Sequence, residues 1–191
     1  MIRFDTEILL WINSHHAEWA DILMWYISKA STWIPLYALM VFVLWRRFGW
    51  RKTLLTVLLL AATVGLTDFV SSGLLKPLFT RLRPTHEPSL EGLVHTVNGY
   101  TGGLYGFVSS HAANTIACAG LFCCIYRSRW MNWIMALYVL LNCYSRIYLG
   151  VHYPGDILGG WVVGILVVYL VYVLVVPYMD RAEALLRRRQ S

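Results

Sequence analysis

Residues 144–164 read YSRIYLGVHYPGDILGGWVVG, and this stretch decides the fold. One long apolar run ends in it and another begins. Between them stand Arg146, His152 and Asp156. Tyr153-Pro154-Gly155 reads as a helix start, because proline suits a first turn. The stretch is therefore a short polar connection between two apolar helices. The rest of the chain agrees. Its 191 residues are 58% hydrophobic and only 14% charged, whereas a soluble domain is about half apolar and about a quarter charged. Roughly 20 apolar residues cross a bilayer. Segments 24–45, 54–75, 110–126, 130–149 and 155–178 are the candidates, the third being short. The expectation is an all-α, polytopic membrane bundle of about five spans, forming a single domain over residues 1–191.

Charge distribution sets the expected orientation. The net charge of +6 invites a nucleic-acid reading, but the bases do not form the continuous patch that reading needs. Arg46, Arg47, Arg51 and Lys52 share one short connection, Arg127 and Arg129 another, and Arg181, Arg187, Arg188 and Arg189 follow the last apolar segment. With five spans these all fall on one side, which the positive-inside rule makes cytoplasmic. The expected location is a bacterial inner membrane, with the opposite, base-poor side facing the periplasm or exterior. The amino terminus then lies outside. Near it, Phe4, Ile8, Leu9, Trp11 and Ile12 alternate with Asp5, Glu7 and Asn13, as in an amphipathic helix lying at the interface. Trp33, Trp45, Trp50, Trp130, Trp133 and Tyr178 fall near span ends, as in an aromatic belt. Cys118, Cys123, Cys124 and Cys143 fall within spans without metal-ligand spacing and read as small apolar residues.

The ionisable residues gather where the outer ends of the spans should meet. Lys76 closes the second apolar segment, and Arg83-Pro84 follows in the long connection 76–108. Ser109-Ser110-His111 opens the third segment, and both serines are good helix caps. Arg146, His152 and Asp156 form the third group. Asp156 in a first helical turn can accept a hydrogen bond from one ring nitrogen of His152. That fixes the tautomer and leaves the other nitrogen as a nucleophile. His111, of a type that titrates near neutrality, suits a general acid. Lys76, Arg83 and Arg146 supply positive charge for a phosphate dianion, Arg146 as a bidentate fork. The N–H groups of Ser109 and Ser110 are candidates for its non-bridging oxygens.

These three groups, in this order and spacing, resemble the type 2 phosphatidic acid phosphatase (PAP2) family, which is related to the vanadium haloperoxidases. The match runs from Lys76 to Asp156. It implies His152 as nucleophile, Asp156 as its orienting acid and His111 as general acid. Lys76, Arg83, Ser109, Ser110 and Arg146 would bind phosphate. It also implies a metal-independent reaction with no cofactor, acting on a lipid phosphate or diphosphate at the membrane. One departure is clear: the family usually has proline-serine-glycine-histidine where this chain has Val108-Ser109-Ser110-His111. Lipid A phosphate and undecaprenyl diphosphate lead the expected substrates, ahead of phosphatidylglycerol phosphate and phosphatidic acid. A vanadate-dependent peroxidase and a non-catalytic lipid-phosphate binder or transporter are the readings from other classes. The expected partner is a membrane lipid substrate, with no nucleic acid; oligomeric state is not readable from the sequence.

Six further residues carry open readings. Asp68 lies inside the second segment and should pair with a base or a polar neighbour. Asn114 would either brace His111 or pack between helices. Asn142 reads as interhelical glue. His86, Glu87 and His95 read as a solvated loop.

Overall fold

The computed structural model describes residues 2–178 and 181. Arg187, Arg188 and Arg189 lie outside the described residues. The elements are helices α1 (Ile2–Ser14), α2 (Glu18–Ile27), α3 (Ile34–Asp68), α4 (Lys76–Phe79), α5 (Ser110–Tyr126), α6 (Arg129–Tyr148) and α7 (Pro154–Leu174), with a π-helical stretch over Phe69–Leu75. Among the described residues the sole extended pairing is the bridge between Leu82 and Tyr105.

Two runs are long and apolar enough to cross a membrane, Ala30–Phe79 and Pro154–Tyr178, and Ser110–Tyr126 is a shorter apolar helix. The first run is not straight. Gly49 takes φ +80°, ψ 171° inside α3, a backbone conformation that only glycine adopts cheaply. Tyr37, Met40 and Leu44 before the break face the same cavity as Val64, Leu60 and Val57 after it. The two limbs of α3 are therefore an antiparallel pair, and the turn falls within the basic stretch 46–52.

The second basic connection joins the first at the same end. Arg47 Nη1 donates to the carbonyl of Tyr126 at 2.5 Å, and Arg127 Nη2 donates to the hydroxyl of Tyr172 at 2.6 Å. The motif residues lie at the opposite ends of α5 and α7.

Small residues hold α5 against α7. A Cβ on Gly160 would come within 2.6 Å of the Ser109 carbonyl, and one on Gly164 within 2.7 Å of the Ala113 carbonyl. This is the small-xxx-small contact that lets apolar helices approach backbone to backbone. It brings the start of α5, carrying His111, beside the start of α7, carrying Asp156. The main core then fills with Leu121, Phe122, Met135 and Val168 among others.

Helix α1 packs differently from the expected surface helix. Asp5, Leu9 and Asn13 are the buried face, at 7%, 0% and 1% exposure. Their spacing of four residues places them on one stripe. Asn13 is fully used: Nδ2 donates to the carbonyls of His95 and Tyr148, and Oδ1 accepts the His95 N–H. The apolar residues Phe4 and Trp11 are the exposed ones. Polar residues read as facing water are thus the staples that fix α1 over the motif end of the bundle.

Candidate active site

The site is built on the first turn of α7. Tyr153 is its N-cap and Pro154 its first helical residue. Asp156 reaches back so that Oδ2 accepts the Tyr153 N–H at 3.0 Å and lies 3.3 Å from His152 Nδ1. With a carboxylate as acceptor, Nδ1 carries the proton and Nε2 keeps its lone pair. The second oxygen, Oδ1, accepts from Arg81 Nη1 at 2.9 Å. Arg81 Nη2 donates to Asp5 Oδ2 at 2.6 Å, and Asp5 Oδ1 accepts the Gly155 N–H at 2.7 Å. Asp5, Arg81, Asp156 and His152 therefore form one chain of hydrogen bonds. Both carboxylates sit at a helix amino terminus, where the dipole favours them. A Cβ on Gly155 would come within 2.7 Å of Asp5, and one on Gly106 within 2.8 Å of Asp156. Bare backbone at these two positions lets the network close.

The cations converge from three elements. Arg146, near the end of α6, is only 2% exposed. It donates through Nη1 to Ser28 Oγ and through Nη2 to the Tyr100 hydroxyl at 3.0 Å. Its Nε is enclosed without a partner among the described residues, so that N–H remains for a ligand. Arg83 is held by Nε on the Tyr105 carbonyl and Nη1 on the Val151 carbonyl. The long connection folds back to place it, since the Arg83 N–H bonds Leu104 and the Gly106 N–H bonds Arg81. Lys76 Nζ donates to Ser110 Oγ at 2.7 Å, and Ser110 Oγ also contacts Ser72 Oγ at 2.7 Å.

Electrostatics keep His152 neutral. Burial pushes its pKa well below the ordinary 6.5, and Arg83, Arg146, Lys76 and His111 press the same way. A neutral ring is the nucleophilic form. Burial would raise Tyr100, yet Arg146 and Arg83 outweigh it and hold the phenol below its usual value. The surroundings are those of an anion site.

His111 stands in the first turn of α5, with its ring beside the backbone of Ser28. Ser28 thus touches both His111 and Arg146. His111 also lines a cavity of about 740 Å³, walled mostly by apolar residues of α3 and α5.

The structure gathers all eight sequence-chosen residues at one end of the bundle but changes details. Ser109 caps α5, its Oγ accepting the Ala112 N–H. Its own N–H is taken by the Asp156 carbonyl at 2.9 Å, so it is not the free donor expected. The first-turn donors without an intrahelical acceptor are those of Ser110 and His111. Asn114 donates to Asp68 Oδ1 at 3.0 Å and does not brace His111. Asn142 bonds the Tyr138 carbonyl within its own helix and not across helices. His95 is not simply solvated: Nε2 pairs with Asp21 Oδ2 at 2.9 Å. Arg81 and Asp5 were missed. The spacing Asp5, Leu9, Asn13 was the available signal for a buried face, but nothing along the chain says that this face meets residue 155.

His16, Asp21 and His95 bring potential metal-binding atoms within 4.8 Å of one another. The His16 and His95 rings lie parallel at 3.7 Å, so their in-plane lone pairs run side by side and do not converge on one point. Asp21 is already engaged by His95 and by the Tyr148 hydroxyl at 2.7 Å. The group reads as a brace joining α2, the long connection and α6.

Comparison with known proteins agrees with this geometry. The PAP2 superfamily matches residues 53–180. Lipid A 4'-phosphatase of Bacteroides thetaiotaomicron is 38% identical over 169 residues, covering 86% of this chain and 75% of that protein. Undecaprenyl-diphosphatase BcrC of Bacillus subtilis is 29% identical over 170 residues, covering 87% and 82%. Among solved structures, Aquifex aeolicus LpxE superposes with a TM-score of 0.64 at 24% identity, covering 86% of this chain and 92% of that one. With the family matched across most of the chain and the histidine–aspartate pair set among three cations, the chain belongs to the PAP2 superfamily.

Proposed function

We propose that this protein is an integral-membrane lipid phosphatase that works through a phospho-histidine. The observation carrying this reading is the His152–Asp156 contact at 3.3 Å among Lys76, Arg83 and Arg146. His152 Nε2 attacks phosphorus while the bond from phosphorus to the leaving oxygen breaks. His111 protonates that oxygen. Asp156 stabilises the charge left on the ring through Nδ1–H. Water then attacks the phospho-histidine with His111 as base, releasing inorganic phosphate and restoring His152. Arg146, Arg83, Lys76 and the Ser110 N–H hold the non-bridging oxygens, so the charge that a metal would otherwise neutralise is met by side chains. Ser109 serves by capping α5.

The apolar cavity reaching His111 suits the lipid tail, admitted sideways between helices. The two α3 limbs with α5, α6 and α7 supply five spans. The basic turns at 46–52 and 127–129 share one end, which the positive-inside rule assigns to the cytoplasm. The site then faces the periplasm or exterior of a bacterial inner membrane.

The 38% identity to a lipid A 4'-phosphatase favours a lipid A phosphate. The BcrC match supports undecaprenyl diphosphate as the second reading. The test is inorganic phosphate release by purified protein, with EDTA present, from lipid A, undecaprenyl diphosphate, phosphatidylglycerol phosphate and phosphatidic acid. Release that disappears in His152→Ala is expected. Binding without release would move the assignment to a lipid carrier.

A further inference from the structure

An intramembrane carboxylate requires a reason, and the described reaction does not use Asp68. It is the last residue of α3, just before the π-helical stretch, a distortion frequent at functional sites. Asp68 is exposed, and Lys76, the cation eight residues on, gives its hydrogen bonds to Ser110 and Ser72 instead. Asp68 Oδ1 accepts from Asn114 Nδ2 at 3.0 Å. That contact orients the amide. Asn114 Oδ1 is then enclosed with no partner among the described residues, and Asn114 lines the same cavity as His111. A buried carbonyl left unpaired in a native fold calls for an explanation. Asn114 is three residues beyond His111 along α5, about 4.5 Å deeper along the axis. Beneath the phosphate-binding cations, then, lie two acceptors, Asp68 and Asn114 Oδ1.

We propose that Asp68 and Asn114 form an acceptor pair that recognises a hydrogen-bond donor, a hydroxyl or secondary-amide N–H, on the membrane side of the scissile phosphate. The proposal rests on the phosphatase reading and sharpens its substrate class. A phosphorylated, acylated aminosugar carries such donors beside its phosphate, and so does a phosphorylated glycerol lipid. A polyprenyl diphosphate carries a second anion and then hydrocarbon, which Asp68 repels. A site with dedicated hydrogen-bonding groups penalises a ligand that lacks the matching group, because its own polar atoms stay unpaired.

The test compares kcat/KM of the full-length protein, Asp68→Asn and Asn114→Leu on three lipids. Lipid A represents the aminosugar, phosphatidylglycerol phosphate the glycerol and undecaprenyl diphosphate the donor-free tail. The expected result is a loss of about 10- to 30-fold on lipid A in each variant, chiefly in KM. Undecaprenyl diphosphate should change less than threefold. A matching loss on phosphatidylglycerol phosphate would assign the pair to hydroxyl donors in general, and none would assign it to the aminosugar. Equal losses on all three lipids, or none on any, would overturn the proposal. Equilibrium binding of the same lipids in a His152→Ala background reads the pair without turnover. If the parent protein hydrolyses nothing, the phosphatase reading fails. Selective loss of lipid A binding on Asn114→Leu would still support the acceptor pair, and unchanged binding would sink it.

Discussion

The polar end of the bundle and the cavity beneath it solve opposite problems. At the polar end, Asp156 accepts from His152, Tyr153 and Arg81, and Asp5 closes the chain onto Gly155. The enclosed group left over there is a donor, Arg146 Nε. In the cavity the walls are mostly apolar and the enclosed group left over is an acceptor, Asn114 Oδ1. One region is braced from several elements and awaits an anion. The other is loosely filled and awaits neutral donors and hydrocarbon. Chemistry that must be accurate to a fraction of an ångström is held by crossed hydrogen bonds. Tail binding tolerates variety, because apolar contact is non-directional.

That division can be broken first at the nucleophile. His152→Ala should cut phosphate release by about 10⁴-fold or more on every lipid, measured as single-turnover release. An effect confined to one lipid would show that the polar end is not common machinery.

Arg81→Leu should come next. It leaves two carboxylates, Asp5 and Asp156, without their shared cation. Removing one partner of a buried pair is costly, and the orientation of His152 depends on Asp156. A loss of about 100-fold in kcat is expected with KM little changed, and Arg81→Lys should recover only part because it lacks the planar fork. Normal kcat in Arg81→Leu would mean that Asp156 orients His152 without help.

Filling the cavity tests the other region. Ala61→Trp projects bulk into space lined by Tyr37, Val64 and Asn114. It should raise KM for a long-tailed lipid about tenfold while sparing a short-chain phosphate ester. Equal effects on both would place the tail elsewhere.

The smallest effect is in pH dependence. The folded protein holds His152 neutral well below 6.5, whereas the unfolded chain takes up that proton near 6.5. For this group the unfolded state binds more protons in this window, so its contribution to stability falls as pH drops below about 6.5. The slope is at most about 1.4 kcal/mol per pH unit. Thermal melts of the parent and of His152→Gln between pH 7.5 and 5 should differ by this contribution. In the same range kcat/KM should show no fall centred on 6.5 from this residue. An acid limb centred on 6.5 that tracks protonation of the His152 ring, followed by NMR, would contradict the burial argument.

The sequence alone determined the helical class and the membrane setting, and it singled out eight residues that the fold gathers at one end of the bundle. These are legible because a bilayer imposes a length on apolar runs, and because a polar turn between two such runs has few other purposes. Spacing also pointed to the His152–Asp156 contact, since a carboxylate in a first helical turn can reach back to the residue before the N-cap. The tertiary structure alone decided the rest. It turned the Asp5 face of α1 inward, spent the Ser109 N–H on Asp156 and brought Arg81 between two carboxylates. It sent Asn114 to Asp68 and not to His111. Each is a contact between groups far apart in the chain, such as Asp5 and Gly155, 150 residues apart. Local periodicity gives the face of a helix, but the partner of that face depends on how α1, α5 and α7 pack, which no short-range pattern encodes.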